Sequence, residues 1–245
     1  MITPLLLALS FLTCLPVKIV ENLTERDFKR SFIYFPIVGL AIGLFSIGVI
    51  DLTSKMGLDE GIIAIIAVIT FAIISRGLHI DGLADTVDGF YGGKDKEGRL
   101  LIMKDSHTGS FGIAAIVFLL VAQFTAMTVV VNENRLEVVP VAFAFSRWAM
   151  VLLSFKAKYP REGGTAKPFV GNITVVELLL ATIFVTLIGF YFIGNNCFIV
   201  LAVTAVVTMI VRNISYSKIE GITGDVLGAV GEISVTILLM LATFI

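Results

Sequence analysis

GIIAIIAVITFAIISRGLHIDGLADTVDGFYGG, residues 61–93, runs from a long apolar stretch straight into three aspartates, Asp81, Asp85 and Asp88. Residues 61–80 are long enough to cross about 30 Å of hydrocarbon as a helix. Spacings of four and seven are near-multiples of the helical turn, so a helix over 79–90 puts all three carboxylates on one face. Like charges so placed repel. A chain keeps three of them at the edge of a hydrocarbon layer when something positive binds there, and oxygen-only ligands point to Mg2+ or a similarly hard cation. The pattern describes an enzyme that handles phosphates at a membrane surface.

The remainder of the chain has the same character. Of its 245 residues 57% are hydrophobic and 15% charged, with a mean hydropathy of +0.99, more apolar side chain than one soluble core can hide. The fold class expected is therefore all-α, a polytopic integral membrane helix bundle forming a single domain over residues 1–245. Apolar windows fall at 3–20, 31–50, 61–80, 109–131, 136–155, 174–193, 196–211 and 225–245. Pro16 breaks the first and the seventh is short, which predicts seven or eight membrane segments, the first either a span or a re-entrant or interfacial helix. That first segment lacks a basic leader and a small-residue cleavage site and is expected to be retained.

The net charge of −1 hides a segregation of charge. Lys and Arg number four in 18–30, one in 51–60, five in 76–104, one in 132–137, four in 156–167, none in 194–196 and two in 212–218. Fifteen of the eighteen fall in alternate connections, and the positive-inside rule places those connections in the cytoplasm. The conspicuous polar clusters lie in or next to the same connections.

One cluster is MKDSHTGSFG, 103–112, where Lys104 and Asp105 precede Ser106, Thr108 and Ser110, residues suited to cap a helix whose first amides would accept a phosphate. Arg147 lies inside the apolar run VAFAFSRWAMVLLSF and needs an anionic partner, either a helix acid or a substrate phosphate. YPREGGTAKPF brings Arg161 and Lys167 around a glycine pair. GITGDVLGAVGE opens the last window, with Asp225 and Glu232 seven residues apart on one helical face and Gly224 and Gly228 at a spacing that favours close helix packing. Cys14 and Cys197 are far apart in apolar segments and read as inert thiols. With only His79 and His107 as imidazoles, the donor set is too rich in oxygen for zinc. There is no phosphate-binding P-loop, no dinucleotide fingerprint and no basic aromatic surface, so no nucleic-acid partner is expected.

Taken in order, SFLTCLPV, FPIVGLAIG, GLHIDGLADTVDG, RLLIMKDSHTGSFG, the pair Ser146 and Arg147, YPREGGTAKPFVG and GITGDVLGA with Glu232 resemble the motifs of the cobalamin synthases, the adenosylcobinamide-GDP ribazoletransferases, nearly end to end. Cys14 stands where that family usually carries Arg, and 163–167 read GGTAK where it has a different turn. The resemblance implies joining of adenosylcobinamide-GDP to alpha-ribazole or its 5'-phosphate with release of GMP, in a Mg2+-dependent reaction at the cell membrane with the active site facing the cytoplasm, by a monomer or a homo-oligomer. It implies Mg2+ held by Asp81, Asp85 and Asp88, with Asp105 or Asp225 completing the shell and Glu232, on the same face as Asp225, as a further metal ligand. One carboxylate among Asp81, Asp85, Asp88 and Asp105 would take the proton of the attacking hydroxyl. Substrate would be bound by His79, Lys104, Ser106, Arg147, Arg161, Thr223, Gly224 and Asp225. Asp85-x-x-Asp88-Gly89 also echoes half of the CDP-alcohol phosphotransferase signature, though the second half is missing. A cation transporter is the remaining alternative, disfavoured because the acids crowd one membrane face and no repeat is visible.

Overall fold

The structure, a computed structural model, describes residues 2–18, 23–164, 166–242 and 244. Among these there is no strand. The helices are α1 (Ile2–Leu12), α2 (Glu25–Ser31), α3 (Phe35–Lys55), α4 (Glu60–Ile74), α5 (Leu78–Gly92), α6 (Lys96–Ile102), α7 (Ser110–Asn132), α8 (Val138–Ser154), α9 (Val175–Ile193), α10 (Asn196–Ile219) and α11 (Gly224–Leu241). Each of the eight apolar windows contains a helix, as expected where no water is at hand to satisfy backbone amides and carbonyls.

Among the described residues five helices are long and apolar enough to cross a membrane, the first of them running Glu25–Lys55 through α2 and α3, and a sixth is counted if α4 and α5 form one bent span. The expected seven or eight are trimmed to five or six by helix length. The 11 residues of α1 and the 17 of α8 reach about 16 and 25 Å at 1.5 Å per residue, short of the roughly 30 Å of hydrocarbon. For α1 this favours the re-entrant or interfacial alternative. The third window also ends early. Its helix stops at Ile74 rather than continuing to residue 80, because Arg76 and Gly77 both take the left-handed conformation, with φ of 56° and 66°. There the axis turns by 84° into α5.

Helix α8 is the post around which the bundle is built. All its residues but Leu152 are buried, as expected of a helix that is apolar around its whole circumference. It packs most extensively against α3 and α11. Gly39 and Gly43 of α3 lie directly on the backbone of α8 at Phe143 and Pro140, too close for any Cβ, which is the use small residues have where helices meet in a membrane. On the far side of α11 sits α5, held as closely: Gly82 abuts the backbone of Asp225, and Gly228 abuts that of His79.

The basic connections gather at one end of this bundle. Lys96 pairs with Glu220 at 2.7 Å, Arg99 donates to the Lys218 carbonyl at 2.9 Å, Ile222 donates its amide to the Lys158 carbonyl at 2.8 Å, and Phe28 meets Phe169 edge-on at 5.1 Å. At the opposite end Arg135, from a sparsely charged connection, donates to the Ala242 carbonyl. The alternation of Lys and Arg along the sequence is thus a segregation in space.

Candidate active site at the crossing of α5 and α11

The three aspartates of α5 share a face but not an environment. Asp81 is exposed, Asp85 half-buried and Asp88 only 6% exposed. Asp88 has a structural occupation. Its carboxylate accepts the amide of Gly109 at 2.7 Å and that of Gly112 at 2.9 Å, two of the otherwise unpaired donors that open α7. The amides expected to receive a substrate phosphate are therefore filled by the chain's own carboxylate. A Cβ at either glycine would meet the Asp88 carboxylate and displace it from these amides. The hydroxyls of Ser106, Thr108 and Ser110 make no side-chain cap at that helix start.

Asp225 joins the group from α11. The contact of Gly82 with its backbone brings it beside α5, and Asp85 lies within Coulombic range of Asp81, Asp225 and Asp88. The Asp225 carboxylate accepts from Arg161 at 3.1 Å and from the Thr223 hydroxyl at 3.2 Å. Arg161 also donates to the Met103 carbonyl at 3.4 Å, so it bridges the tip of α6 and the start of α11. Thr223, buried, accepts from the Val226 amide at 3.4 Å and serves as the N-cap of α11 rather than facing a ligand. Gly224 begins that helix, against Ala166.

Lys104, Asp105 and Ser106 are exposed. Asp105 accepts from the His107 ring at 2.7 Å and from its amide at 3.0 Å, and these bonds hold its carboxyl below the usual range. With Asp88, Gly109 and Ser110 the pair lines a cavity of about 290 Å³ next to the acidic group.

Arg147, Glu232 and His79 belong to a different place, inside the bundle. Arg147 is 1% exposed and donates to Ser146 at 3.0 Å with its Cζ over the Phe143 ring at 5.5 Å. Glu232, buried, accepts from Gln123 at 3.0 Å, and Gln123 also donates to Thr236 at 3.1 Å. His79 is 3% exposed, its Nδ1 4.0 Å from Glu232, and among the described residues neither ring nitrogen has a hydrogen-bond partner. Arg147 lies within Coulombic range of Glu232. Among the described residues no direct ion pair joins Arg147 to Glu232 and the Arg147 Nε lacks a hydrogen-bond partner, so the helix acid is a longer-range neighbour rather than a bonded one. Gln123, Gly109 and Gly112 escaped the sequence reading. A lone glutamine in the apolar run of α7 was the available signal for the first, since buried polar groups in membrane helices need partners.

Among the described residues no three His, Cys, Asp or Glu side chains converge as a metal-holding group. Mg2+ differs from zinc or calcium in that one or two carboxylates suffice, with substrate phosphates and water filling its shell. The oxygen-only donors Asp81, Asp85, Asp88 and Asp225 suit such an ion; Asp88 and Asp225 each already accept two hydrogen bonds and keep further lone pairs, while Glu232 sits apart with Gln123 inside the bundle.

The family model for cobalamin-5-phosphate synthase matches residues 4–243. Among curated proteins, the adenosylcobinamide-GDP ribazoletransferase of Clostridioides difficile (strain 630) is 34% identical over 94% of this chain and 92% of its own. That of Chlorobaculum parvum is 37% identical over 95% and 92%, and that of Thermodesulfovibrio yellowstonii 35% identical over 98% and 95%. No solved structure matches.

Proposed function

The chain belongs to the cobalamin-5-phosphate synthase family, and on that premise we propose that it is a multi-pass membrane transferase joining adenosylcobinamide-GDP to alpha-ribazole or alpha-ribazole 5'-phosphate, with release of GMP. The observation that carries this reading is the meeting of Asp225 with Asp81 and Asp85 at the α5 and α11 crossing, with Arg161 beside them. In the reaction a ribose hydroxyl oxygen bonds to the phosphorus that carries cobinamide, the bond from that phosphorus to the bridging oxygen breaks, and GMP leaves with the bonding pair. Bound Mg2+ would supply neutralising charge to the pyrophosphate, held by Asp81, Asp85 and Asp225.

The chain's own contribution is positioning and proton handling. Arg161, fixed by Asp225 and the Met103 carbonyl, presents guanidinium hydrogens to phosphate oxygens in the forked geometry they favour. One carboxylate of the acidic group takes the hydroxyl proton as the new bond forms. The cluster's sharing one end of the bundle with the basic connections supports an orientation toward the cytoplasm.

The test is GMP release by the purified protein given adenosylcobinamide-GDP and alpha-ribazole, with Mg2+ and with EDTA. Release that depends on both substrates and on Mg2+ is expected. Activity on a CDP-alcohol instead, or none on adenosylcobinamide-GDP, would overturn the assignment.

A further inference from the structure

A second cavity, of about 490 Å³, opens at the same end of the bundle, outside the acidic group. Phe28 and Tyr159 line it together with Glu25, Lys167, Asn172 and Gly164. We propose that this cavity holds the guanine base of the nucleotide donor.

The walls are fixed before any ligand arrives. Thr24 and Asp27 form a reciprocal capping box that sets the start of α2, placing Glu25 and Phe28 one turn apart. Phe28 is braced edge-on by Phe169, itself stacked on Phe11 at 4.2 Å. Gly164, with φ of 151°, lies against the Tyr159 hydroxyl with no room for a Cβ, so the loop passes over Tyr159 only because glycine stands there. This gives Gly164, within the departure GGTAK, a physical role.

The chemistry of the lining selects among flat ligands. The lining includes two aromatic side chains, Phe28 and Tyr159, the kind of group on which a heterocycle stacks. A carboxylate at Glu25 accepts hydrogen bonds only, and guanine presents adjacent N–H donors at N1 and the 2-amino group, which a carboxylate can take together. The benzimidazole of alpha-ribazole, with N1 in the glycosidic bond, has no ring N–H to offer. The Asn172 amide supplies a donor and an acceptor for the rest of the edge. Lys167 donates to the Glu162 carbonyl at 2.7 Å and keeps two further hydrogens for a phosphate. Tyr159 at the cavity and Arg161 on Asp225 lie two residues apart, so this stretch of chain joins the base site to the acidic group.

The assignment presupposes a transferase acting on adenosylcobinamide-GDP, and its test is binding as well as turnover. Equilibrium dialysis of the purified, EDTA-treated protein would compare GMP, IMP and alpha-ribazole 5'-phosphate. GMP is expected to bind more tightly than IMP, which lacks the 2-amino group. Tyr159→Leu and Glu25→Gln should each weaken GMP about tenfold, the size of one lost stacking or charge-assisted contact. Tyr159→Phe should restore the stacking, which separates this from misfolding. In turnover the same variants should raise KM for adenosylcobinamide-GDP and leave kcat near normal. Variants that leave GMP affinity unchanged, or that weaken alpha-ribazole 5'-phosphate instead, would refute the proposal while GMP release itself stands. Absence of GMP release by the unaltered protein would instead count against the transferase reading, and loss of GMP binding in Glu25→Gln would still support the base site.

Discussion

At the scale of single residues, the aspartates of α5 separate into two kinds of work. Asp85, half-buried among Asp81 and Asp225, has no hydrogen bond that holds a helix in place, whereas Asp88 anchors the opening of α7 through Gly109 and Gly112. Asp85→Asn is therefore expected to lower GMP release by roughly 100-fold or more, the loss usual for a group that stabilises developing charge, with the melting temperature unchanged or slightly raised as repulsion is relieved. Asp88→Asn should melt lower, because its one remaining oxygen can accept only one of the two glycine amides and its NH2 group faces the other as a second donor, at a cost of about 1–3 kcal/mol. Thermal unfolding in detergent beside a GMP-release assay separates the two, and equal melting temperatures would remove the anchoring role. Arg147 and Glu232 invite a paired test. Arg147→Ala leaves a buried carboxylate uncompensated and should cost about 3–5 kcal/mol, while Arg147→Ala combined with Glu232→Gln should recover much of that loss. A double variant as unstable as the single would show that the two charges do not balance each other.

Among the elements, close approach at glycine decides which helices touch. Gly39 and Gly48 both lie within α3, yet the first is pressed onto the backbone of α8 and the second faces open space. Gly39→Ala must push these packed helices apart and should destabilise by about 1–3 kcal/mol. Gly48→Ala meets nothing and should be neutral, or gain up to about 1 kcal/mol from helix propensity. The difference in melting temperature between these two variants of one helix measures the α3 and α8 contact directly. Gly82 has the same role for α5 and α11, but there the helix it admits carries Asp225, so packing and the site's composition are set by one missing side chain.

For the whole molecule, the ends of the bundle differ in charge, and that difference predicts topology. In a background without Cys14 and Cys197, Lys96→Cys and Lys158→Cys should react with an impermeant thiol reagent from the cytoplasmic side and Asn134→Cys from the other; labelling of Lys96→Cys and Asn134→Cys from one side would overturn the arrangement. Much of this was written in the chain. Apolar windows of bilayer length determined an all-helical membrane bundle, since backbone polar groups in hydrocarbon have no other solution, and the alternation of Lys and Arg determined which connections share an end. The spacing of Asp81, Asp85 and Asp88 determined a common helical face, because 3.6 residues complete a turn regardless of surroundings. Tertiary structure alone decided what each carboxylate meets. Asp88 goes to the amides of α7, Glu232 to Gln123 inside the bundle, and Asp225 to Arg161 beside Asp85. It also decided that α4 stops at Ile74 and turns by 84°. The reason is that hydropathy and periodicity are properties of a segment and its solvent, whereas a hydrogen-bond partner is supplied by another helix, whose approach depends on the absence of a Cβ at positions such as Gly39, Gly82 and Gly112.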